Sequence, residues 1–245
     1  MAKKYYKKKR RRLTLRGLIY CLVFLLVAAA GIYITINPPY MKDADSFEPF
    51  DIESVPPFSG EPYFTVNNNF AYFTEEEISR EYCASYSPRD SAGRCDAATA
   101  CLHWKNMHEE PRGEIGMVRP SGWHTVRYDE LIEDKYLYNR CHLIAFMFTG
   151  ENANPDNLIT GTRFLNNSGM LPFENQVAAY LRESGNHVMY RVTPIFVGRE
   201  LLARGVLMEA YSVEDEGRGL QFNVFIYNAQ PGIEIDYMTG DSWVK

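Results

Sequence analysis

No charged residue occurs between Gly17 and Met41, and this run constrains the chain more than any other feature. Its first part, GLIYCLVFLLVAAAGIYITIN, is as long as a helix that crosses the hydrocarbon core of a bilayer. Nine of the 26 Lys and Arg residues precede it, and clustered positive charge stays on the cytoplasmic side. We therefore expect residues 1–16 to form a cytoplasmic basic tail and residues 17–37 a transmembrane signal anchor.

A cleaved signal peptide is the alternative to an anchor. Small residues for cleavage occur at Ala28–Ala30, but apolar residues continue to Ile36, which favours an uncleaved segment. The anchor predicts a single-pass protein of the cell membrane with its main domain outside the cell, and cleavage predicts a secreted protein. The basic cluster beside such a span is better explained by topology and anionic lipid than by nucleic-acid binding.

The rest of the chain divides into a linker and one domain. Residues 38–62 are rich in Pro, Ser, Asp and Glu, lack periodicity and predict an extended linker. Residues 63–245 then form the extracellular domain. Outside the first 16 residues, 17 Lys and Arg oppose 31 Asp and Glu, so this domain is acidic.

The domain reads as an α+β fold with a largely antiparallel sheet. Alternating or β-branched residues predict long strands at 187–197, 205–213 and 220–227 and shorter strands at 115–118 and 125–128. Apolar spacing predicts a helix over 173–183. Thr74 and Glu77 have capping-box spacing, which predicts the start of another short helix. Rossmann and P-loop glycine patterns do not occur.

Four cysteines follow the apolar run: Cys83, Cys95, Cys101 and Cys141. In an oxidising compartment they permit two disulfides, with three possible pairings. Free buried thiols are an alternative, and so is a zinc site, although Cys95, Cys101 and His103 lack the close CxxC pairs of structural zinc. Cys141 as a nucleophile would have only His142 as its base.

Residues 138–174 concentrate reactive side chains and turn residues. Arg140 and His142 are two residues apart on a predicted strand and so share one face, which places a cation beside a proton acceptor. Asn157 and Asn166 follow in turn-rich segments, and amide oxygens suit a hard ion such as Mg²⁺. Asn also forms turns readily, and composition alone favours that interpretation.

The motifs of this stretch resemble those of the non-specific DNA/RNA endonuclease family, which has the ββα-metal (His-Me finger) fold. The family hallmark is Asp-Arg-Gly-His, a metal-binding Asn and then a Glu. The chain has Asn139-Arg140-Cys141-His142, Asn166 and Glu174. The similarity is strongest to membrane-anchored DNA-entry nucleases of Gram-positive bacteria. It runs from about Phe64 to the C-terminus and includes Leu158–Arg163, Met170–Asn175 and Ile235–Gly240.

The resemblance implies a Mg²⁺-dependent, sequence-non-specific endonuclease, with Mn²⁺ able to replace Mg²⁺. The substrate would be DNA, with RNA as a second candidate, and the products would carry a 5′-phosphate and a 3′-hydroxyl. His142 would be the general base on water and Asn166 the metal ligand. Glu174 would order metal-bound waters or support His142, and Asn157 would brace the site or the metal shell.

Four arginines are candidates for binding the nucleic acid. Arg140 is expected to clamp phosphate, while Arg163, Arg112 and Arg94 are weaker candidates that fit ordinary surface or ion-paired arginines equally well. Three aromatic residues are candidates for stacking on bases, although aromatics more often fill a core: Trp123, Tyr138 and Phe148.

Two departures from the hallmark leave room for a second function. Asn139 replaces an acid that would orient the His, and Cys141 replaces a Gly and needs room for its side chain. Neither removes the base or the metal ligand, so activity is expected. The alternative is a catalytically inactive surface domain that captures nucleic acid, and a third possibility is a cell-surface domain with structural zinc.

Overall fold

The computed structural model describes residues 47–245 together with Tyr20 and Val23. The fold below is that of the second of the two units into which the chain divides, Met41–Lys245. Apart from Tyr20 and Val23, the predicted tail, the predicted anchor and the first part of the predicted linker lie outside the described residues. Among the described residues, no helix is both long enough and apolar enough to cross a bilayer.

A six-stranded antiparallel sheet forms the larger layer. Its strands are β1 Tyr63–Thr65, β2 Cys83–Tyr86, β3 Ala98–Leu102, β6 Val188–Ile195, β7 Gly205–Ser212 and β8 Gln221–Tyr227. They lie in the order β1-β8-β7-β6-β3-β2, and the three longest lie where side-chain alternation predicts them.

A separate antiparallel hairpin and a helix follow one another and form the other layer. The hairpin consists of β4, Tyr138–His142, and β5, Leu158–Thr162. A π-helical segment, Leu165–Met170, leads directly into the long helix α2, Leu171–Ser184. Smaller elements are α1 Phe146–Thr149, β9 Ile233–Ile235, β10 Ser242–Val244 and the 3₁₀ turns Ile52–Ser54, Asn67–Asn69, Trp104–Asn106 and Pro155–Asn157.

The main core lies between these two layers. Alternation along β6 and β8 directs Tyr190 and Phe222 toward the hairpin and α2, where they are buried. From the opposite layer Cys141, Leu165 and Leu181 enter the same cluster. This packing fixes the end of β4 against the start of α2, which is where the sequence predicted reactive side chains.

The second half of the predicted linker, residues 47–62, packs onto the domain. Four of its apolar side chains contact a cluster on the sheet: Phe50, Ile52, Val55 and Phe58. Phe50 stacks on Phe225 with ring centroids 5.4 Å apart. A free linker is therefore left as a prediction only for residues 38–46, which lie outside the described residues.

Three local predictions were wrong for physical reasons. The capping-box bonds form, from Thr74 N to Glu77 Oε2 at 2.8 Å and from Glu77 N to Thr74 Oγ1 at 3.2 Å, but they close a turn and no helix follows. Residues 115–118 form no strand, because the Gly116 and Val118 carbonyls accept hydrogen bonds from an arginine side chain. Residues 125–128 contribute one isolated bridge.

The cysteine predictions are also corrected. Cys83, Cys95, Cys101 and Cys141 are all free thiols, so the two permitted disulfides are absent from the structure. Cys141 is fully buried and its burial raises the pKa of its thiol, which argues against a nucleophile. Within residues 47–245 no group of three His, Cys, Asp or Glu residues could hold a metal, which leaves the zinc hypothesis without ligands.

Gly161 provides the room that Cys141 needs. A Cβ added at Gly161 would lie 2.5 Å from Cys141 Sγ and 2.6 Å from Leu165 Cδ2. Gly161→Ala is therefore expected to destabilise the domain by about 1–3 kcal/mol. Urea unfolding measures this, and the loss should be smaller when Cys141→Ala is also present. An equal loss in both backgrounds would show that the two positions do not compete for space.

Candidate active site

A cavity of about 660 Å³ opens where the end of β4, the π-helical segment and the loop before Trp123 meet. It brings together most of the side chains that the sequence singled out: Arg112, Arg140, His142, Arg163, Asn166 and Glu174. Asn157 does not line this cavity, and Arg94 lines a separate one of about 290 Å³.

His142 is oriented by a backbone carbonyl. Its Nε2 lies 2.8 Å from Asn152 O. Because a carbonyl only accepts hydrogen bonds, Nε2 carries the proton and Nδ1 keeps its lone pair. Burial, opposed by this hydrogen bond, lowers the pKa of His142, so the ring is neutral near pH 7. The ring is thus held as a proton acceptor without help from residue 139.

Asn157 braces the backbone that follows His142. Its buried amide receives a hydrogen bond from Ile144 N at 2.8 Å and donates one to Ile144 O at 2.9 Å. The backbone carbonyl of Asn157 also accepts a hydrogen bond from Leu143 N at 2.9 Å. The side-chain oxygen and nitrogen of Asn157 are therefore both hydrogen-bonded to the backbone of Ile144. This makes Asn157 a positioning residue, and its amide oxygen is already in use and not offered to a metal.

Asn166 lies in the π-helical segment, a kind of distortion that is frequent at functional sites. Its Nδ2 donates to Asn167 Oδ1 at 2.8 Å. This bond fixes the amide so that Oδ1 remains available, and Asn166 lines the cavity. Glycine at position 169 lets the segment approach β8 closely, since a Cβ there would lie 2.2 Å from Ile226 Cγ2.

Glu174, in the first turn of α2, is buried beside the same cavity. Within residues 47–245 it has no hydrogen-bond or ion-pair partner. Burial raises the pKa of its carboxyl to about 7. An ionised carboxylate that is buried without a partner is unfavourable unless a bound ion or ligand pairs with its charge.

The oxygens available here suit a hard divalent cation. The amide oxygen of Asn166 and the carboxylate of Glu174 both face the cavity without a protein partner. Two such groups leave most coordination positions to water, which is how Mg²⁺ is usually held. The residues present therefore fit a magnesium ion better than zinc, which prefers thiolate and imidazole ligands.

The guanidinium of Arg140, predicted to bind phosphate, is already held by two backbone carbonyls and an aromatic ring. Nε donates to Val118 O at 2.5 Å and Nη2 to Gly116 O at 2.9 Å. Its guanidinium carbon lies 3.9 Å from the centre of the Trp123 ring. Arg140 thus anchors the loop at the cavity edge, and only Nη1 is left without a protein partner.

The unpaired cations at the cavity are Arg112 and Arg119. Both line it, are exposed and have no hydrogen-bond or ion-pair partner among residues 47–245. By contrast, Arg163 pairs with Asp134 at 2.8 Å, and Arg94 pairs with Asp90 at 2.7 Å. Sequence reasoning missed Arg119, for which the only signal was its position before the turn Pro120–Trp123.

Of the three stacking candidates, Trp123 and Tyr138 line the cavity, and only Trp123 has part of its side chain exposed. Phe148 is in the core against Tyr190, with ring centroids 5.7 Å apart. Tyr138 is buried and donates to Gly240 O at 2.9 Å. Arg140 already covers one face of Trp123. Tyr136, which lines the cavity and is 44% exposed, is a better candidate for contact with a base.

A hairpin and a helix bring a neutral His and unpartnered Asn and Glu oxygens to one cavity, which gives a centre suited to metal-assisted hydrolysis. Residues 72–214, more than half of the chain, match the DNA/RNA non-specific endonuclease family. The chain belongs to this family.

Similar proteins come from streptococci. A protein named deoxyribonuclease from Streptococcus dysgalactiae subsp. equisimilis is 30% identical over 112 residues, which cover 44% of this chain and 33% of the relative. NucA from Streptococcus agalactiae with magnesium ion bound is 25% identical, with a TM-score of 0.67, over 75% of this chain and 87% of NucA. Sda1 nuclease with bound zinc ion shares the fold, with a TM-score of 0.63 and 23% identity over 80% of this chain and 100% of Sda1.

Glu174 predicts a particular pH dependence of stability. Since folding raises its pKa from 4.5 to about 7, folding disfavours its ionised form, and metal-free protein loses stability as pH rises through this window. Glu174→Gln removes the effect and should stabilise the protein by on the order of 2–3 kcal/mol near pH 8, with no gain near pH 4. Urea unfolding in EDTA at both pH values measures it. A gain of equal size at both would assign the effect to packing.

Proposed function

We propose that this protein is an exported, membrane-anchored endonuclease that hydrolyses phosphodiester bonds of DNA, with RNA as a second substrate, without sequence preference. The observation that carries the proposal is the cavity in which an oriented, neutral His142 meets unpartnered oxygens of Asn166 and Glu174. Family membership gives the reaction class, and the arrangement of these side chains supports the roles below.

His142 acts as the general base. Nδ1 takes a proton from a water molecule, and the resulting hydroxide attacks phosphorus in line with the 3′ oxygen. The bond between phosphorus and the 3′ oxygen breaks, and the 3′ oxygen takes a proton from a second water molecule. Asn166 and Glu174 would hold a divalent cation, and Mg²⁺ bound there would stabilise the negative charge that grows on the phosphate and the leaving group. Asn157 keeps the backbone after His142 in place, and the Asn152 carbonyl keeps the ring in its tautomer.

An acidic domain can bind a polyanion here because unpaired positive charge remains at the cavity. Arg112 and Arg119 are unpaired at the cavity, and Arg140 keeps one free nitrogen there. Contacts of this kind to phosphate supply sequence-independent affinity that weakens with salt. Arg140 and Arg163 serve the substrate mainly by shaping the cavity edge, and Arg94 has no place in this scheme.

DNA and Mg²⁺ are proposed on specific grounds. The relative from Streptococcus dysgalactiae is named a deoxyribonuclease, and NucA binds magnesium ion. The oxygen ligands in the cavity point to the same ion, with Mn²⁺ as a substitute. The alternative, a catalytically inactive domain that captures nucleic acid, rests on Asn139 in place of the hallmark acid. It is weakened because the Asn152 carbonyl already orients His142.

Membrane anchoring is proposed from residues 1–37 alone, with the catalytic domain outside the cell. The expected result is that the full chain sediments with membranes and that external protease, cutting within residues 38–46, releases the folded domain, residues 47–245, from intact cells. A chain lacking residues 1–37 should be soluble in the cytoplasm. Recovery of the full chain in the culture medium, shortened after Ala30, would instead establish a cleaved signal peptide.

Replacement of the general base tests the mechanism. His142→Ala should lower plasmid cleavage by about 10²–10⁴-fold while DNA binding and thermal stability persist, because proton transfer is lost and the cavity remains. EDTA should abolish cleavage by the wild type. His124→Ala is the matched control, since His124 also bonds a backbone carbonyl, Thr239 O at 3.0 Å, but lies outside the cavity.

Two results would contradict the mechanism. Cleavage by His142→Ala at the wild-type rate would remove His142 from the reaction. Binding of plasmid by the wild type without any nicking in Mg²⁺ would favour the inactive capture domain.

A further inference from the structure

Tyr136 presents an aromatic ring both to the cavity and to solvent. The residue lines the cavity and is 44% exposed. Among residues 47–245 its ring stacks on no other aromatic ring, and its hydroxyl has no hydrogen-bond partner. Ligand cavities are commonly lined by aromatic side chains of this kind. The exposed part of the ring is therefore available to a ligand.

The backbone places Tyr136 on the same side of the chain as His142. An isolated antiparallel bridge between Arg127 and Tyr136 comes directly before β4. Side chains alternate along an extended chain, so Tyr136, Arg140 and His142 share one side, whereas Leu137 is fully buried on the other. Tyr136, Arg140 and His142 all line the cavity. Tyr136 is thus the exposed end of a row of side chains that leads to His142.

Arg127 supports the Tyr136 ring from one side. Its guanidinium carbon lies 5.4 Å from the centre of the ring. Arg127 Nε donates to Asp129 Oδ1 at 3.0 Å and Nη2 donates to Asp129 Oδ2 at 2.9 Å, which holds the guanidinium in place. A cation beside an aromatic ring is attracted to it. The ring is therefore ordered before a ligand arrives, which lowers the entropic cost of binding.

The cations in the same cavity point to single-stranded nucleic acid as the ligand. Arg112 and Arg119 line the cavity, are exposed and have no hydrogen-bond or ion-pair partner among residues 47–245. Grooves that combine cations with exposed aromatic rings bind single strands, because the cations contact phosphates and the bases stack on the rings. Inside a duplex both faces of a base are covered by its neighbours, so a base reaches such a ring only after it leaves the stack.

We propose that Tyr136 is a stacking platform for one base of a single strand, which gives single-stranded nucleic acid an affinity that duplex does not receive. The platform rests on the proposed nuclease function and deepens it, because it names the substrate class. Every base has a flat face, so the platform adds affinity without sequence preference.

Two oligonucleotides of equal length and charge test the platform: the thymidine hexanucleotide and an abasic hexanucleotide. Their affinities are measured by fluorescence anisotropy in EDTA. Tyr136→Ala should weaken binding of the thymidine hexanucleotide by about tenfold and leave binding of the abasic one unchanged. Tyr136→Phe should keep both wild-type affinities, because it retains the ring and the hydroxyl has no protein partner among the described residues.

Tyr63→Ala is the matched control. Tyr63 is also 44% exposed, but it lies outside the cavity, against Phe173 with ring centroids 5.0 Å apart. This variant should keep the wild-type ratio of the two affinities. Thermal unfolding of Tyr136→Ala should match that of the wild type, since the replaced side chain is exposed.

Cleavage in Mg²⁺ provides a second measurement. The ratio of kcat/KM for single-stranded oligothymidine to that for its duplex with oligoadenine should fall by about tenfold in Tyr136→Ala, chiefly through KM. If the wild type cleaves neither substrate, the nuclease proposal fails, and the binding measurement in EDTA still tests the platform.

Two results would overturn the platform. The first is a ratio of thymidine to abasic affinity that Tyr136→Ala leaves unchanged, including the case in which both affinities fall equally and Tyr136 only shapes the cavity. The second is a Tyr136→Phe variant that loses as much affinity as Tyr136→Ala, which would assign the contact to the hydroxyl.

Discussion

The hydrogen bonds of the buried Asn157 amide hold the chain where β4 ends, and the candidate active site depends on them. They fix the backbone of Ile144 at 2.8 and 2.9 Å, two residues after His142. Because β4 is also paired with β5 and packed on the sheet, His142 has little freedom to move. The Asn152 carbonyl then needs to set only the ring orientation.

The cavity also differs from much of the domain in how its charged side chains are paired. Most arginines of this acidic domain are tied to carboxylates or carbonyls, as in the pairs Arg191 with Glu209 and Arg204 with Glu200. At the cavity, by contrast, Arg112 and Arg119 remain unpaired. Buried groups add to this contrast, because Glu174 lacks a counter-charge and Asn139 and Arg163 each have a donor without an acceptor. The local imbalance suits a site that binds a metal ion and a polyanion together.

Patterns within short segments of the sequence predicted the helix, the long strands and the side chains that share one face of a strand. Helix 173–183 and the three long strands follow from periodicity, and alternation alone places Arg140 beside His142. The contacts that join distant segments were not predictable in this way: Arg140 anchors the loop 116–118, Asn152 orients His142 through its backbone, and Arg119 reaches the cavity from a turn. The free cysteines show the same limit, since their number permits disulfides but only the packed core decides their state.

The central claim is that water, activated in this cavity, attacks phosphorus and expels the 3′ oxygen. Mass spectrometry of oligonucleotide products formed in ¹⁸O-labelled water tests it most directly. The mechanism predicts one ¹⁸O atom in a new 5′-phosphate and an unlabelled 3′-hydroxyl. Label in a 3′-phosphate, or products without label, would show that another group attacks or another bond breaks.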